Sequence, residues 1–272
     1  MSQAIAAAVQ MTSAADVAAN LETARRLLEQ AREGGACLAV LPENFSFMGR
    51  TEAERRAVVE SDGDGPVQSA ISGAARELGI WIVAGTQPIA IPGESRPANA
   101  CIVYDSGGRR VARYDKIHLF DVDLPNGREA YRESANAVPG AQAVTIDTPA
   151  GRLGLSVCYD LRFPELYRRL VSEGAEIFSV PSAFTGPTGR AHWEVLLRAR
   201  AIEDLSFVIA AAQTGLHDNG RETYGDTLIV DYWGRVLARL PRGSGVVLAA
   251  LDRERQAEAR ASFPALKHRV IG

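Results

Sequence analysis

Residues 153–164 read LGLSVCYDLRFP, and this stretch contains the end of one structural element and the start of another. The apolar run 153–157 predicts a strand, and Pro164 suits the first turn of a helix that continues to about residue 173. A second apolar run at 177–180 predicts the next strand. A strand, a helix and a strand in succession are typical of α/β proteins, in which helices cover a sheet.

The same alternation continues outward from this unit over most of the chain. Further strands are predicted at 4–10, 37–41, 81–86, 100–104, 111–114, 207–212, 227–231, 236–239 and 246–251. Further helices are predicted at 17–31, 66–78 and about 190–204. No linker, repeat or low-complexity tract interrupts the pattern, so we predict one α/β domain covering residues 1–272.

Local signals make two further predictions about the helices. Ser13 and Asp16 precede the first helix with the spacing of a capping box. On the long helix, Arg200 and Asp204 are four residues apart, which predicts an ion pair on one helix face.

The composition is that of an ordinary globular protein. Of 272 residues, 46% are hydrophobic and 23% are charged, and the mean hydropathy is -0.07. The formal net charge of -3 leaves no global basic field, so we expect neither nucleic acid nor a membrane surface as a partner. No apolar run approaches a membrane-spanning length, and the apolar start at 4–9 is too short for a signal peptide. A small-molecule substrate fits this composition better.

The cysteines and histidines argue against a disulfide framework or a metal site. Cys37, Cys101 and Cys158 lie far apart and form no CxxC pair. The histidines show no HxH or HExxH spacing. We therefore expect neither a metal nor a cofactor, and a reducing cytoplasm is the favoured compartment.

Three reactive side chains share one position in the predicted fold. Glu43, Lys116 and Cys158 each follow the carboxyl end of a predicted strand, which is the sheet edge where α/β proteins bind ligands. A thiol attacks a carbonyl carbon only as the thiolate, so it needs a base or a cation beside it. Glu43 would take the proton, and Lys116 would stabilise the thiolate and the oxyanion that forms.

Each of these residues also has an ordinary explanation. A glutamate at a strand end is usually a capping or surface carboxylate, a lone lysine is usually solvated, and a single cysteine is as often packing as nucleophile. Cys37 and Cys101 lie within apolar runs and are interpreted as packing residues. The combination of three residues favours a site. The segment 116–139 is long, polar and without periodicity, which is typical of a functional loop.

Five segments of the chain resemble known signature regions. They are 41–44 (LPEN), 114–120 (YDKIHLF), 157–165 (VCYDLRFPE), 181–184 (PSAF) and 191–203 (AHWEVLLRARAIE). Together they resemble the signatures of the nitrilase superfamily, in the expected order and over nearly the whole chain. The resemblance implies an α-β-β-α sandwich.

The resemblance also implies roles for individual residues. Glu43, Lys116 and Cys158 match the catalytic triad of the family, and Glu133 matches its second glutamate, with Glu129 as the alternative alignment. The oxyanion hole would consist of Lys116 and the backbone N–H of Tyr159.

Other residues near these motifs are candidates for contact with the substrate. Phe184 lies in a signature segment, and Arg162 and Arg190 are alternative cations for a substrate carboxylate. Arg162 is also expected to pair locally with Glu165. His192, at the start of the long helix, is interpreted either as a packing residue or as a substrate contact.

The residues after Cys158 bear on the reaction. Nitrilases of the superfamily typically have Trp-Glu there, whereas this chain has Tyr159-Asp160, which resembles the amidase branches. Ser182 and the strand that ends at Gln213 resemble the branch that partners or fuses with Fhit. That resemblance implies hydrolysis of deaminated glutathione to 2-oxoglutarate and Cys-Gly through a cysteine thioester.

Other functions remain open at this stage. An omega-amidase acting on 2-oxoglutaramate is one alternative, and those enzymes usually have glycine where Ser182 stands. A non-catalytic interaction protein on the same scaffold is another, and a papain-like Cys-His hydrolase is a third. Family members are commonly homodimers or larger homo-oligomers, and a Fhit-like protein is a possible partner.

Overall fold

The computed structural model describes residues 3–124 and 129–271. The α-helices of this part are α1 (Val17–Glu33), α2 (Glu52–Ala57), α3 (Pro66–Leu78), α4 (Pro164–Ser172), α5 (Gly186–Asp204) and α6 (Arg253–Ser262). The strands are β1 (Ala4–Gln10), β2 (Leu38–Val40), β3 (Trp81–Val83), β4 (Gln87–Ile89), β5 (Ala98–Tyr104), β6 (Arg110–Asp115), β7 (Asp121–Asp123), β8 (Ala130–Arg132), β9 (Thr145–Thr148), β10 (Gly151–Leu155), β11 (Ile177–Ser179), β12 (Phe207–Ala210), β13 (Thr214–Leu216), β14 (Glu222–Tyr224), β15 (Thr227–Val230), β16 (Val236–Leu240) and β17 (Gly245–Leu251). Across these residues, no helix combines the length and the apolar character that crossing a membrane requires.

Two large sheets form the centre of the fold. The first has the strand order β17-β1-β2-β3-β5-β4, with β6 paired to β5, and the second has the order β16-β15-β12-β11-β10-β9. Parallel pairing joins β1, β2 and β3 in the first sheet and β10, β11 and β12 in the second. In both sheets the parallel strands are connected through helices, as the alternating sequence pattern predicts.

The central strands of the first sheet are apolar on both faces. On β1, Ala6 and Ala8 belong to the core shared with the second sheet, whereas Ala7 and Val9 belong to a core shared with α1 and α3. Successive side chains of a strand point to opposite faces, so this alternation fixes which face each layer covers. On the far side, α4 packs against β10 and α5 against β12 and β15. The layers are therefore helix, sheet, sheet and helix, which confirms the α-β-β-α sandwich.

The sandwich brings three chain segments together at one end. Glu43 follows β2 by three residues and Lys116 follows β6 directly, so both come from the first sheet. Cys158 begins a short 3-10 helix, Cys158–Arg162, three residues after β10 of the second sheet. The candidate site consequently lies where the ends of the two sheets meet.

Several elements differ from the sequence prediction. The segment 116–139, expected to lack regular structure, contains the antiparallel pair β7 and β8 and a 3-10 turn, Glu133–Ala135, although 125–128 lie outside the described residues. Helix α5 begins at Gly186 rather than near residue 190. Helices α2 and α6 were not predicted, because they are short and polar and have only one buried residue, Gln256, between them.

Two local predictions about the helix ends were wrong in detail. The carboxylate of Asp16 caps α1 by accepting from Ala19 N, but the Ser13 hydroxyl donates to the Phe45 carbonyl oxygen instead of completing a capping box. At the end of α5, Arg200 pairs with Glu203, while Asp204 pairs with Arg168 of α4 at 2.9 Å. Ser13 and Asp204 thus make tertiary contacts in place of the predicted local ones, and Arg200 pairs three residues along the helix instead of four.

Candidate active site

Lys116 lies between two carboxylates in the interior of the site. Its Nζ donates to Glu43 Oε1 and to Glu133 Oε2, both at 2.8 Å, and its side chain is only 1% exposed. The other oxygen of Glu133 accepts from the amide of Asn99, and Oε2 also accepts from Phe120 N at 2.7 Å. Glu133 is thereby held in place from three directions. The structure thus brings together Glu43, Lys116 and Glu133.

The charges of this cluster are set by one another. Burial opposes the charged form of Lys116, but the carboxylates of Glu133 and Glu43 outweigh it and raise the pKa of Lys116 well above its ordinary value. Burial likewise opposes the charged form of Glu43, and the ammonium of Lys116 outweighs it and lowers the pKa of Glu43. Lys116 is consequently a fixed cation, and Glu43 is an ionised carboxylate that can accept a proton.

Cys158 faces this cluster from the opposite sheet. Its side chain lines the same cavity as Glu43 and Lys116, and the charges of both residues act on the pKa of the thiol. Burial and the neighbouring carboxylate of Glu43 raise the pKa of the Cys158 thiol above its ordinary range. The resting site therefore contains a neutral thiol beside an ionised carboxylate, which is the arrangement of a nucleophile and its base.

The backbone around Cys158 is constrained. Cys158 has a φ of 49°, in the left-handed region that non-glycine residues seldom adopt, and its N–H donates to the Pro181 carbonyl at 2.9 Å. The Tyr159 N–H lies in the first turn of the 3-10 helix, where backbone donors have no acceptor within the helix.

A buried aspartate fixes the 3-10 helix that begins at Cys158. Asp160 is fully buried and accepts from the Tyr114 hydroxyl at 2.6 Å, from Val157 N at 2.8 Å and from His118 N at 3.0 Å. These bonds tie the 3-10 helix to the segment that precedes and follows Lys116. The sequence analysis used Asp160 only to separate amidases from nitrilases, although an aspartate two residues after a candidate nucleophile is itself a signal of support.

A cavity of about 220 Å³ opens above the thiol. Tyr159, Arg162 and Phe184 line it, as the sequence analysis expected, together with Glu43, Lys116, Glu133 and Cys158. The Arg162 guanidinium lies over the rings of Tyr159 and Phe184, at 5.7 and 5.3 Å from their centroids.

Other candidates lie elsewhere. Arg190 is exposed and does not line the cavity, whereas Arg162 does line it, so the structure distinguishes these two candidate cations. Arg162 lies 3.1 Å from His192 Nδ1 and, among the described residues, makes no ion pair with Glu165, so that predicted pair is wrong. His192 is exposed and outside the cavity lining. It is therefore neither a packing residue nor a direct wall of the site.

Sequence reasoning missed several residues of the site. Arg55, Asn99 and Arg221 line the cavity, but each lies on a segment that matched no signature. Gln213, noted only as a branch marker, donates from Nε2 to the Glu43 carbonyl oxygen at 3.0 Å and to the Ser13 hydroxyl at 2.7 Å. These residues lie outside the recognised segments of the chain, so only the fold reveals them.

The chain belongs to the carbon-nitrogen hydrolase family, whose model matches residues 5–261. It is similar to the deaminated glutathione amidase of Synechocystis sp., with 41% identity over 271 residues that cover 98% of each chain. It is also similar to the human deaminated glutathione amidase, with 42% identity over 97% of this chain and 82% of the relative.

Solved structures agree with this family membership. The crystal structure of the Caenorhabditis elegans NitFhit protein superposes with a TM-score of 0.91 and 38% identity, covering 99% of this chain and 66% of that chain. The crystal structure of Saccharomyces cerevisiae Nit3 superposes with a TM-score of 0.88 and 29% identity, covering 99% and 97% of the two chains. The fold and the family are therefore those that the sequence signatures implied.

Proposed function

We propose that this protein is an amidase that hydrolyses deaminated glutathione through a covalent thioester on Cys158. The observation that carries the proposal is the neutral thiol of Cys158 in one cavity with the ionised Glu43, whose carboxylate lies 2.8 Å from the fixed cation Lys116. The names of relatives at 41% to 43% identity support the choice of substrate. Its products would be 2-oxoglutarate and Cys-Gly.

The first half of the reaction forms the thioester. Glu43 accepts the thiol proton as the sulfur of Cys158 attacks the amide carbon, and a tetrahedral oxyanion forms. Lys116 and the backbone N–H of Tyr159 face this charge, and preorganised donors contribute most where charge develops. The C–N bond then breaks, the proton on Glu43 passes to the leaving nitrogen, and the amine departs.

The second half regenerates the thiol. Glu43, again a carboxylate, accepts a proton from a water molecule that attacks the thioester carbon. The C–S bond breaks, the acid product leaves, and the proton on Glu43 returns to the sulfur of Cys158. Glu133 does not contact the thiol; it holds Lys116 from the side opposite Glu43. We therefore assign Glu133 to positioning the cation and to balancing its charge.

The charge of the cavity suits an anionic acyl group. Among the described residues, Arg162 has no carboxylate partner, and it lies against Tyr159 and Phe184 four residues after the nucleophile. The 2-oxo acid end of deaminated glutathione carries a carboxylate that a guanidinium binds well. Of the two arginines that the sequence offered, Arg162 lines the cavity and Arg190 does not, which supports the assignment of this contact to Arg162.

Two further aspects of the protein are proposed on separate grounds. A reducing cytoplasm is the proposed compartment, because Cys37, Cys101 and Cys158 all carry free thiols. A homodimer or a larger homo-oligomer is the proposed assembly, supported by the exposed side chains of Ile202, Trp233 and Phe263, apolar groups that an interface would cover. Size-exclusion chromatography with light scattering would measure the assembly, and a monomer at all concentrations would contradict it.

The substrate assignment is tested by comparing deaminated glutathione with 2-oxoglutaramate under identical conditions. Both substrates would place the same acyl group on Cys158, but only the former offers a Cys-Gly portion whose binding energy helps to position the amide. We expect kcat/KM to be about 30- to 1000-fold higher for deaminated glutathione. Equal or better turnover of 2-oxoglutaramate would make the protein an omega-amidase instead.

The amidase chemistry is tested separately. Rapid quenching of the wild-type enzyme during turnover should reveal a 2-oxoglutaryl adduct on the peptide that contains Cys158 by mass spectrometry. A protein that turns over no amide and whose Cys158 resists alkylation would instead be a non-catalytic member of the family.

A further inference from the structure

A second chamber adjoins the cavity above Cys158. It has a volume of about 190 Å³ and is lined mainly by the segment 47–55 and by Asn219. Three residues, Asn44, Arg55 and Arg221, line both chambers. The two spaces therefore meet at these residues, immediately beside Glu43.

The two arginines at this junction have no acidic partner. Among the described residues, no carboxylate lies within ion-pair distance of Arg55 or Arg221. Arg221 donates to the Ala183 carbonyl oxygen and lies over the ring of Tyr131, and its Nε is buried without any hydrogen-bond acceptor. A buried, unpaired guanidinium N–H is costly, and the part of Arg221 that lines both chambers is open to an acceptor brought by a ligand.

The groups that contact Arg55 are neutral, and Glu43 acts on Arg221 through its charge without forming an ion pair with it. Arg55 contacts the side-chain oxygens of Asn44, at 3.4 Å, and of Asn99, and both are neutral. The carboxylate that lines the second chamber, Glu52, is 3.5 Å from Arg56. Because Glu43 is already paired with Lys116, the two guanidinium groups are open to a further anion.

The chemistry of the reaction decides which end of the substrate reaches the junction. Glu43 must give its proton to the leaving nitrogen, so that nitrogen lies on the Glu43 side of the cavity. Asn44, the next residue, already lines the second chamber, whereas Arg162 lines only the first. The group attached to the leaving nitrogen therefore extends towards Arg55 and Arg221, away from Arg162.

We propose that Arg55 and Arg221 form a subsite that binds the terminal carboxylate of a short peptide leaving group. The inference rests on the proposed amidase function and adds a second anion site to it. An extended dipeptide spans about 7 Å, which suits a carboxylate held in an adjoining chamber. A guanidinium binds a carboxylate through two parallel hydrogen bonds, so the pair selects a free carboxylate over a neutral amide.

The test compares deaminated glutathione with the same molecule carrying a C-terminal amide in place of the glycine carboxylate. The measured quantity is the ratio of kcat/KM for the two substrates within each enzyme, which is independent of how much of a variant is folded. Wild type should prefer the carboxylate by about 10- to 100-fold. Arg221→Gln and Arg55→Gln should each bring the ratio towards one, mainly through KM, and Arg221→Lys should retain part of the preference.

Arg26→Gln is the matched control, because Arg26 is exposed on α1 and lines neither chamber. It should keep the wild-type ratio. A wild-type enzyme that hydrolyses both substrates equally well would overturn the subsite and leave the proposed function intact, as would glutamine variants that keep the wild-type ratio. An enzyme that hydrolyses neither substrate would overturn both.

Discussion

Lys116 illustrates at the scale of one residue how burial and charge determine a role. A lysine that is 1% exposed would ordinarily lose its proton, but two carboxylates at 2.8 Å keep it charged. A lysine that cannot release its proton cannot be the base of the reaction. This supports the proposal that Glu43 is the base and that Lys116 acts through its charge.

The central test at this scale is the removal of the thiol. Cys158→Ala should lower kcat/KM by at least about 10⁴-fold, because no other side chain can form the thioester. Cys37→Ala is the control, since Cys37 lies in the first sheet layer, away from the cavity lining, and should retain activity. Activity would be measured by release of product, and folding by circular dichroism. An active alanine variant at 158 would refute the covalent mechanism.

The two glutamates that competed in the sequence can now be distinguished by experiment. Glu133 contacts Lys116 at 2.8 Å, whereas Glu129 Oε2 accepts from the Tyr131 hydroxyl. Glu133→Gln should lower kcat by about 10- to 100-fold, because one of the two charges that hold Lys116 is lost. Glu129→Gln should change kcat by less than about threefold. The reverse order of effects would show that Glu129 is the fourth residue of the site.

At the scale of elements, the site depends on how α5 packs. The first turns of α5 carry Thr188, which lines the cavity, and Gly189, which lies against β14. A Cβ at position 189 would come within 2.2 Å of the Cβ of Tyr224, closer than real side chains approach. Gly189 is therefore required by the close approach of the helix and the strand, a contact that the sequence does not show.

Gly189→Ala should lower the free energy of unfolding by about 1 to 3 kcal/mol, because Tyr224 or the helix must move. The matched control is Gly73→Ala in α3, where an added Cβ would have no heavy atom within 4 Å. This substitution should raise the free energy of unfolding by about 0.5 to 1 kcal/mol, because alanine favours the helix more than glycine does. Urea unfolding of both variants measures the difference. A Gly189→Ala variant as stable as wild type would mean that α5 and β14 pack less tightly than described.

At the scale of the whole molecule, a buried carboxyl at the end of α5 makes stability depend on pH. Burial raises the pKa of Asp204 from 3.8 to about 7, although Arg168 lies 2.9 Å from its Oδ1. The charges of Glu203, Arg200 and Arg269 also act on it, and its Oδ2 has no hydrogen-bond partner. The folded state therefore holds a proton that the unfolded chain releases near its ordinary pKa.

The sign of the pH effect follows from this difference. Between about pH 4 and about pH 7 the folded state binds more protons than the unfolded state, so raising the pH through this window destabilises the fold. In Asp204→Asn the side chain at position 204 cannot ionise, so this pH dependence is absent from the variant. From about pH 5 to about pH 8, its free energy of unfolding should rise relative to wild type by about 2 kcal/mol. A difference that stays constant with pH would show that Asp204 is ionised throughout.

Much of the fold could be predicted from the sequence, because its signals are local. Strand β1 at Ala4–Gln10 and helix α3 at Pro66–Leu78 have the predicted bounds, since an apolar run and a proline in a first turn need no distant partner. Helix α6 was missed for the corresponding reason. Its sequence is polar, and it is held by distant contacts such as Gln256 Nε2 to the Glu176 carbonyl oxygen, at 2.8 Å.

The sequence by itself determined which residue types stand at the strand ends: Glu43, Lys116 and Cys158 follow apolar runs and occur in recognisable motifs. Only the tertiary structure decided what surrounds them. Arg55 and Arg221 reach the site from segments with no motif, and the distances between side chains depend on how the two sheets pack. Periodicity and motifs record neighbours along the chain, whereas the charge and shape of a cavity arise from residues that meet only after folding.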